Sequence, residues 1–418
     1  MLMDTPPTPP RPIYLDGHAT TPLAPEAAAA MAPWWRELAA NAHSPHAAGQ
    51  RAAAAVNHAR GLVARLVGVG PSEVVFTSGA TEANALALLG GARAARRAGD
   101  PRRRIIVSAI EHKSVLGCAA RLETEDFEVV RAPVTPDGVL DLGVLARLAT
   151  PETLLISVMA ANNETGVVQP IDAVAAVARA AGAALHVDAS QQAGKLPLDL
   201  GLADFASLSA HKMYGPLGVG ALIVSSAAAF RPEPLFAGGD QENGLRPGTL
   251  PVPLIVGFGE AARVAIARLA ADADHGRRLA GRLIKTLENR QVRFIINGLK
   301  HDRLPGSLSL RLKGCDAASL IARISPFVSA AEGSACTSGQ IAPSHVLTAM
   351  GLSHEEASST LRLMCGRDAT AEEIDRVAEV LIEAIEDEIG SRWTTSPVGS
   401  GHERPAPRFR TPPSVRRP

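Results

Sequence analysis

The chain has 418 residues, 46% hydrophobic and 20% charged, with equal numbers of acidic and basic side chains and no formal net charge. That length holds two domains, or one large domain with a smaller companion, and that composition excludes a disordered chain. The charge balance argues against nucleic acid or a membrane surface as the main partner of the folded body.

The opening residues, "MLMDTPPTPPRP", lack the charged start and apolar run of a secretory signal, and no stretch offers ~18 uninterrupted apolar residues for a membrane span. A cytoplasmic location is expected. The four cysteines, Cys118, Cys315, Cys336 and Cys365, form no CxxC pair and no metal-type spacing with histidines, so no disulfide framework or zinc site is predicted. Residues 1–12 are expected to be a disordered segment. From there, apolar β-type runs alternate with helix-type segments: "VVFTS" at 74, "RIIVSAI" at 104, "FEVVRAP" at 127, "LLISVMA" at 154, "ALHVDAS" at 184, "FASLSA" at 205 and "GALIVS" at 220. Alanine-rich amphipathic stretches at 48–67, 80–98 and 170–181 separate them. Near-continuous apolar strands between helices predict an α/β domain over 13–264, its mostly parallel seven-stranded sheet covered on both faces, with its first residues open to packing against the small domain.

From residue 265 the pattern changes to long helices and short strands, "VRFIIN" and "SLSLRL", and predicts a smaller α+β domain over 265–390. It closes on a helix at 371–389, with a capping box of Thr370 and Glu373 and one apolar face of Ile374, Val377, Leu381 and Ile385. Residues 391–418, rich in proline and arginine, are expected to be a disordered basic tail, either a solvated extension or a contact for a partner.

In open α/β sheets ligands sit beyond the carboxyl ends of the strands, so the residues that follow each run carry the chemistry. After the first comes Gly79-Ala80-Thr81, a helix start suited to an anion such as phosphate, although a glycine turn with a helix cap explains it equally well. After the second comes His112. After the fourth come Asn162, Asn163 and Glu164, suited to a turn or to holding a carboxylate. After the fifth come Asp188 and Gln191. Asp188 caps a helix or holds a protonated ring nitrogen. After the sixth come Ser209, His211 and Lys212, the last one of only six lysines in the chain. A lysine able to form a Schiff base, an aspartate able to pair with a pyridinium nitrogen and a phosphate cradle together match the needs of pyridoxal 5′-phosphate.

The ordered motifs "YLDGHATTP", "VVFTSGATEAN", "EHKSVL", "ANNETGVVQPI", "HVDASQQAGKLPLDL", "SAHKMYGPLGVGAL", "RPGTLPVP", "GSACTSG" and "LRLMCGR" resemble the NifS/IscS-type cysteine desulfurases, in the class V aminotransferase group of fold type I pyridoxal phosphate enzymes. The resemblance spans about residues 13–390. It implies Lys212 as the Schiff-base lysine, His112 stacking on the ring, Asp188 facing the pyridine nitrogen and Gln191 the phenolic oxygen. It implies Ala80, Thr81, Ser209 and His211 as phosphate contacts, with Thr249 contacting the phosphate of a neighbouring subunit in a homodimer. Arg362 matches the arginine that binds the substrate carboxylate, with Asn163 and Asn41 nearby. Cys336, in a glycine-flanked run suited to a mobile loop, matches the nucleophile that takes sulfur from L-cysteine as a persulfide and passes it to an acceptor such as an iron-sulfur scaffold. A selenocysteine lyase or another class V lyase or transaminase is the competing enzyme, and a sulfur-relay subunit with little catalysis is the competing non-enzyme.

Overall fold

A computed structural model describes residues 11–333 and 343–394. The expected disorder of residues 1–10 and 395–418, and Cys336 itself, lie outside the described residues. Among the described residues thirteen strands occur in chain order: β1 (Ile13–Tyr14), β2 (Val74–Thr77), β3 (Arg104–Ser108), β4 (Glu128–Ala132), β5 (Thr153–Met159), β6 (Ala184–Asp188), β7 (Phe205–Ser209), β8 (Gly220–Val224), β9 (Phe294–Ile296), β10 (Ser307–Leu312), β11 (Val328–Ser329), β12 (Ala331–Glu332) and β13 (Thr360–Met364).

Seven of them form one sheet in the order β2-β8-β7-β6-β5-β3-β4. All pairings in it are parallel except those of β8, which runs against both neighbours. The predicted runs become these strands because valine, isoleucine and leucine fill both faces: every residue of β5, β6, β7 and β8 is buried. One face packs on helix Ala47–Leu66 and the first part of helix Val252–Asn289, through Val56, Val63, Ile255 and Phe258. The other packs on helix Lys113–Glu123 and on the helical stretch from Ala80 to Arg97, through Leu86, Leu88 and Leu122.

A four-stranded antiparallel sheet, β12-β13-β10-β9, builds the smaller unit with helix Ala371–Thr394. The capping box is formed as predicted: the Glu373 N–H donates to Thr370 Oγ1 at 3.2 Å, and the Thr370 N–H to Glu373 Oε2 at 2.9 Å. The helix runs to Thr394 and takes in the first four residues of the expected tail. The expected boundary at 264/265 falls inside a continuous 38-residue helix, Val252–Asn289. Its Ile255, Phe258, Ala262 and Ala265 face the large core, whereas Leu279, Leu283 and Leu287 face the small one. A single helix serves both cores because its apolar stripe continues at i, i+4 spacing across the change of partner.

The N-terminal strand joins the small unit. β1 pairs in parallel with β11, Leu15 is buried in the small core, and Asp16 bridges to Met364. The chain from Asp16 to Thr21 is thereby laid between the two units, at the carboxyl ends of β6 and β7. Among the described residues no helix is long and apolar enough to cross a membrane.

Candidate active site

A cavity of about 580 Å³ opens at the carboxyl ends of the parallel strands. It collects most residues that sequence reasoning singled out. Ala80 and Thr81 enter from the helix after β2, His112 from the end of β3, and Asn163 from the turn after β5. Asp188 and Gln191 come from β6, Ser209, His211 and Lys212 from β7, and Arg362 from β13. The cavity wall beside Ala80 and Thr81 is bare backbone: Gly79 adopts φ +154°, and a Cβ on Gly220 of the neighbouring strand would lie 2.7 Å from its Cα.

Lys212 donates through Nζ to the carbonyls of His18 and Ala19, both at 2.7 Å. Burial first, then the Arg362 charge, lowers its pKa to about 8, against the opposing pull of Asp188 and Asp16. The next residue back, His211, pairs through Nδ1 with Thr20 Oγ1 at 3.0 Å, and burial followed by the Lys212 charge brings its pKa down to about 4. Asp188 is buried and accepts two N–H donors: Ser190 N on Oδ1 at 3.0 Å and Asn84 Nδ2 on Oδ2 at 2.9 Å.

Asn84 was missed by sequence reasoning. It is fully buried, and its second Nδ2 hydrogen goes to Ser114 Oγ at 2.8 Å, leaving Oδ1 without a partner among the described residues. Ser114 in turn meets His112 Nδ1 through its hydroxyl at 2.8 Å and through its backbone N–H at 3.1 Å. His112 thus caps helix Lys113–Glu123 while its ring faces the cavity. Protein packed around the ring removes solvation and lowers its pKa below the ordinary histidine value.

Arg362 is buried, with Nη2 on Asp16 Oδ1 at 2.8 Å and Nη1 on Asn163 O at 3.3 Å. The two acidic or polar alternatives left open for the turn after β5 are now divided. Asn162 builds the turn, accepting on Oδ1 from Glu164 N and Thr165 N, whereas Asn163 lines the cavity. Buried Glu164 accepts a short hydrogen bond from Ser344 Oγ and lies against Gly333.

The Aminotransferase class-V family matches residues 13–377. The chain belongs to that family. It is 41% identical over 378 residues to a protein named cysteine desulfurase IscS from Rickettsia felis, covering 90% of this chain and 91% of that one. A solved structure described as a NifS-like protein superposes with a TM-score of 0.82 at 34% identity, covering 90% of this chain and 99% of that one. DndA from Streptomyces lividans superposes at 0.72 with 41% identity, covering 83% and 97%. These likenesses give the class-V chain its fold type I architecture, a large α/β domain with a mostly parallel seven-stranded sheet and a smaller α+β domain.

Two expected site residues stand apart from the cavity of this class-V chain. Asn41 is exposed, its side chain accepting from the His43 N–H at 2.9 Å in a local turn that holds it away. Thr249 is exposed on the segment before helix Val252–Asn289 and also does not line the cavity of its own chain. Cys118 and Cys365 are inert by comparison with an exposed thiol, since burial pushes them up to about 11 and about 12. Besides Asn84 and Ser114, sequence reasoning missed Asp16 and His18 as site residues. The signal available was the cluster of Asp16, His18, Thr20 and Thr21 soon after the short strand β1.

Proposed function

We propose that this protein is a cysteine desulfurase that converts L-cysteine to L-alanine and holds the released sulfur as a persulfide on Cys336. The observation that carries it is the convergence of Lys212, Asp188, His112 and Arg362 on one cavity, in a chain 41% identical to a protein named cysteine desulfurase. The residues fit pyridoxal 5′-phosphate. One lysine with a depressed pKa stands opposite a buried carboxylate whose two oxygens are held by N–H donors, and the bare turn at Gly79 leaves room for a phosphate. Lys212 would carry it, Asp188 would meet its ring nitrogen, Gln191 its ring oxygen, and Ala80, Thr81, Ser209 and His211 its phosphate. When bound, that cofactor supplies a sink for the electron pair left as the substrate Cα–H bond breaks.

The rest of the chemistry belongs to the chain. Arg362, fixed by Asp16 and by the Asn163 carbonyl, binds the substrate carboxylate. Lys212, held as a weakly basic amine, takes the Cα proton. His112 shields one side of the cavity and returns a proton toward the substrate carbon. Cys336 as thiolate attacks the substrate sulfur, a sulfur–sulfur bond forms as the carbon–sulfur bond breaks, and the carbon takes a proton to give alanine. Gly333, the last described residue before the segment that carries Cys336, and His345, two residues past the point where the described chain resumes, both line the cavity, which supports delivery of that thiol to the substrate.

Further points follow from the same reading. Thr249, exposed and remote from its own cavity, reaches the cofactor phosphate of a second subunit in a homodimer. Asn41 serves the substrate only if its segment shifts from the turn seen here. Residues 13–264 and 265–390 act as cofactor-binding and cysteine-bearing domains hinged on helix Val252–Asn289. The sulfur passes, in the cytoplasm, to an acceptor protein such as an iron-sulfur scaffold.

Sulfide and alanine release from L-cysteine in the presence of a thiol reductant tests the proposal. Wild type makes both products in equal amounts, and Cys336→Ala keeps its visible cofactor band but loses turnover. A variant as active as wild type would return the assignment to a class V lyase or transaminase.

A further inference from the structure

His18 is 1% exposed, and every polar atom of its ring and its carbonyl is engaged. Gln191 Nε2 donates to the His18 carbonyl at 2.9 Å, and a carbonyl can only accept, so the orientation of the Gln191 amide is fixed. Its Oε1 therefore faces His18 Nδ1 at 3.2 Å, with Lys195 Nζ at 3.5 Å on the same oxygen. An amide oxygen demands a donor, which places the ring hydrogen on Nδ1. The bare Nε2 then accepts from Ser307 Oγ at 2.8 Å, a better partner for that hydroxyl than Thr165 O at 3.5 Å. The ring is neutral in this arrangement, since burial and the nearby charges of Arg362, Lys195 and Lys212 all oppose a second proton. The His18 carbonyl is also one of the two acceptors of Lys212 Nζ.

We propose that His18 is a positioning residue: its ring locks the Gln191 amide with one N–H presented to the cofactor ring oxygen, and its carbonyl seats Lys212. Through Ser307 on β10 it ties both groups to the small domain. This rests on the assignment of Gln191 to the ring oxygen made above.

Two measurements on the full-length protein test it. Nitrogen-15 spectra of histidine-labelled protein, with the His18 signals identified by loss in His18→Gln, should show the hydrogen on Nδ1 and a bare Nε2. Ser307→Ala leaves the Gln191 oxygen in place and should keep the hydrogen on Nδ1, and a wild-type ring protonated on Nε2 overturns the inference. Second, a pH titration of the visible cofactor band reads the ring oxygen. An N–H donor stabilises that oxygen as an anion, so His18→Leu should move the midpoint up by about one pH unit, the equivalent of one hydrogen bond. His18→Gln, whose amide N–H takes over the contact, should restore it. An unchanged midpoint in His18→Leu also overturns the inference. If His18→Leu does not hold cofactor, Ser307→Ala carries the titration, with a smaller upward shift expected and none overturning it. A wild type with no visible band, or one that binds cofactor without releasing sulfide, removes the desulfurase assignment, and the nitrogen-15 result still decides the role of His18.

Discussion

Arg362 and Asp16, 346 positions apart in sequence, form a 2.8 Å ion pair in which the guanidinium is almost wholly buried. The pair joins β13 to the strand that opens the chain, and it leaves Arg362 Nε without a partner among the described residues. A buried arginine with spare donors beside a cavity is prepared for a carboxylate. A lysine at this position would keep the charge and lose the fork. Arg362→Lys should raise KM for L-cysteine about ten- to a hundredfold, from the ~1.5–3 kcal/mol of a hydrogen bond to a charged group. Steady-state kinetics decides it, and a KM equal to that of wild type would detach Arg362 from substrate binding. Asp16→Asn, which keeps one acceptor oxygen, should give a smaller rise.

The turn at Gly79 makes a second prediction. A Cβ on Gly220 would sit 2.4 Å from Leu208 O and 2.7 Å from Gly79 Cα, both backbone atoms that cannot rotate away. Gly220→Ala must therefore push the Gly79–Ala80 turn off Ser209. Overpacking of this kind costs about 1–3 kcal/mol. The variant should melt below wild type and bind pyridoxal 5′-phosphate about five- to a hundredfold more weakly by equilibrium dialysis. Wild-type affinity would mean that the turn does not hold the phosphate.

The strand ends were legible because each buried strand is a run of β-branched and aliphatic residues and the cavity-lining residues follow within a few positions, as with Asp188 after "ALHV" and Lys212 after "FASLSA". Asn84 and His18 were not legible. Asn84 lies on a helix among alanines, where a polar residue reads as solvent-facing until its partners on β6 and beyond β3 are known. His18 gains its role only when Gln191 and Ser307, 173 and 289 positions away, close around it. The expected boundary at 264/265 falls inside one helix for a related reason. Helix Val252–Asn289 keeps one periodicity while the core it faces changes, so no local signal marks the switch.

Lys212 fixes a pH dependence. Only the neutral amine condenses with an aldehyde, and its pKa of about 8 is set by burial and by Arg362. The rate at which cofactor-free protein takes up pyridoxal 5′-phosphate should rise with pH through about 8 and then level off. An ordinary lysine would carry the rise to about 10.4. Stopped-flow absorbance measures this, and a rate still climbing well above the lower value would show Lys212 to be an unperturbed amine. Arg362→Leu removes one of the two lowering influences and should shift the curve upward.

Glu111 links the same region to stability. It is fully buried at the end of β3, with Oε1 accepting from Ser108 Oγ at 2.5 Å and from Met159 N at 2.7 Å, while Oε2 has no partner among the described residues. Burial first, with the Asp188 charge adding to it, raises its pKa from 4.5 to about 8. In the unfolded chain the carboxyl ionises near 4.5, whereas the folded protein keeps the proton up to about 8. Between those values folding takes up a proton, so this group's contribution to stability falls as pH rises. A glutamine keeps the acceptor oxygen and cannot ionise. Glu111→Gln should therefore gain in thermal midpoint relative to wild type as pH is raised from about 5 to about 8, with the gap constant above that. Lys195, whose pKa falls to about 7, and His186, at about 4, titrate alike in both proteins, so the difference between the two melting curves isolates Glu111. Parallel curves across the whole range would mean that Glu111 is already ionised in the fold, and that the unpartnered oxygen is solvated by water.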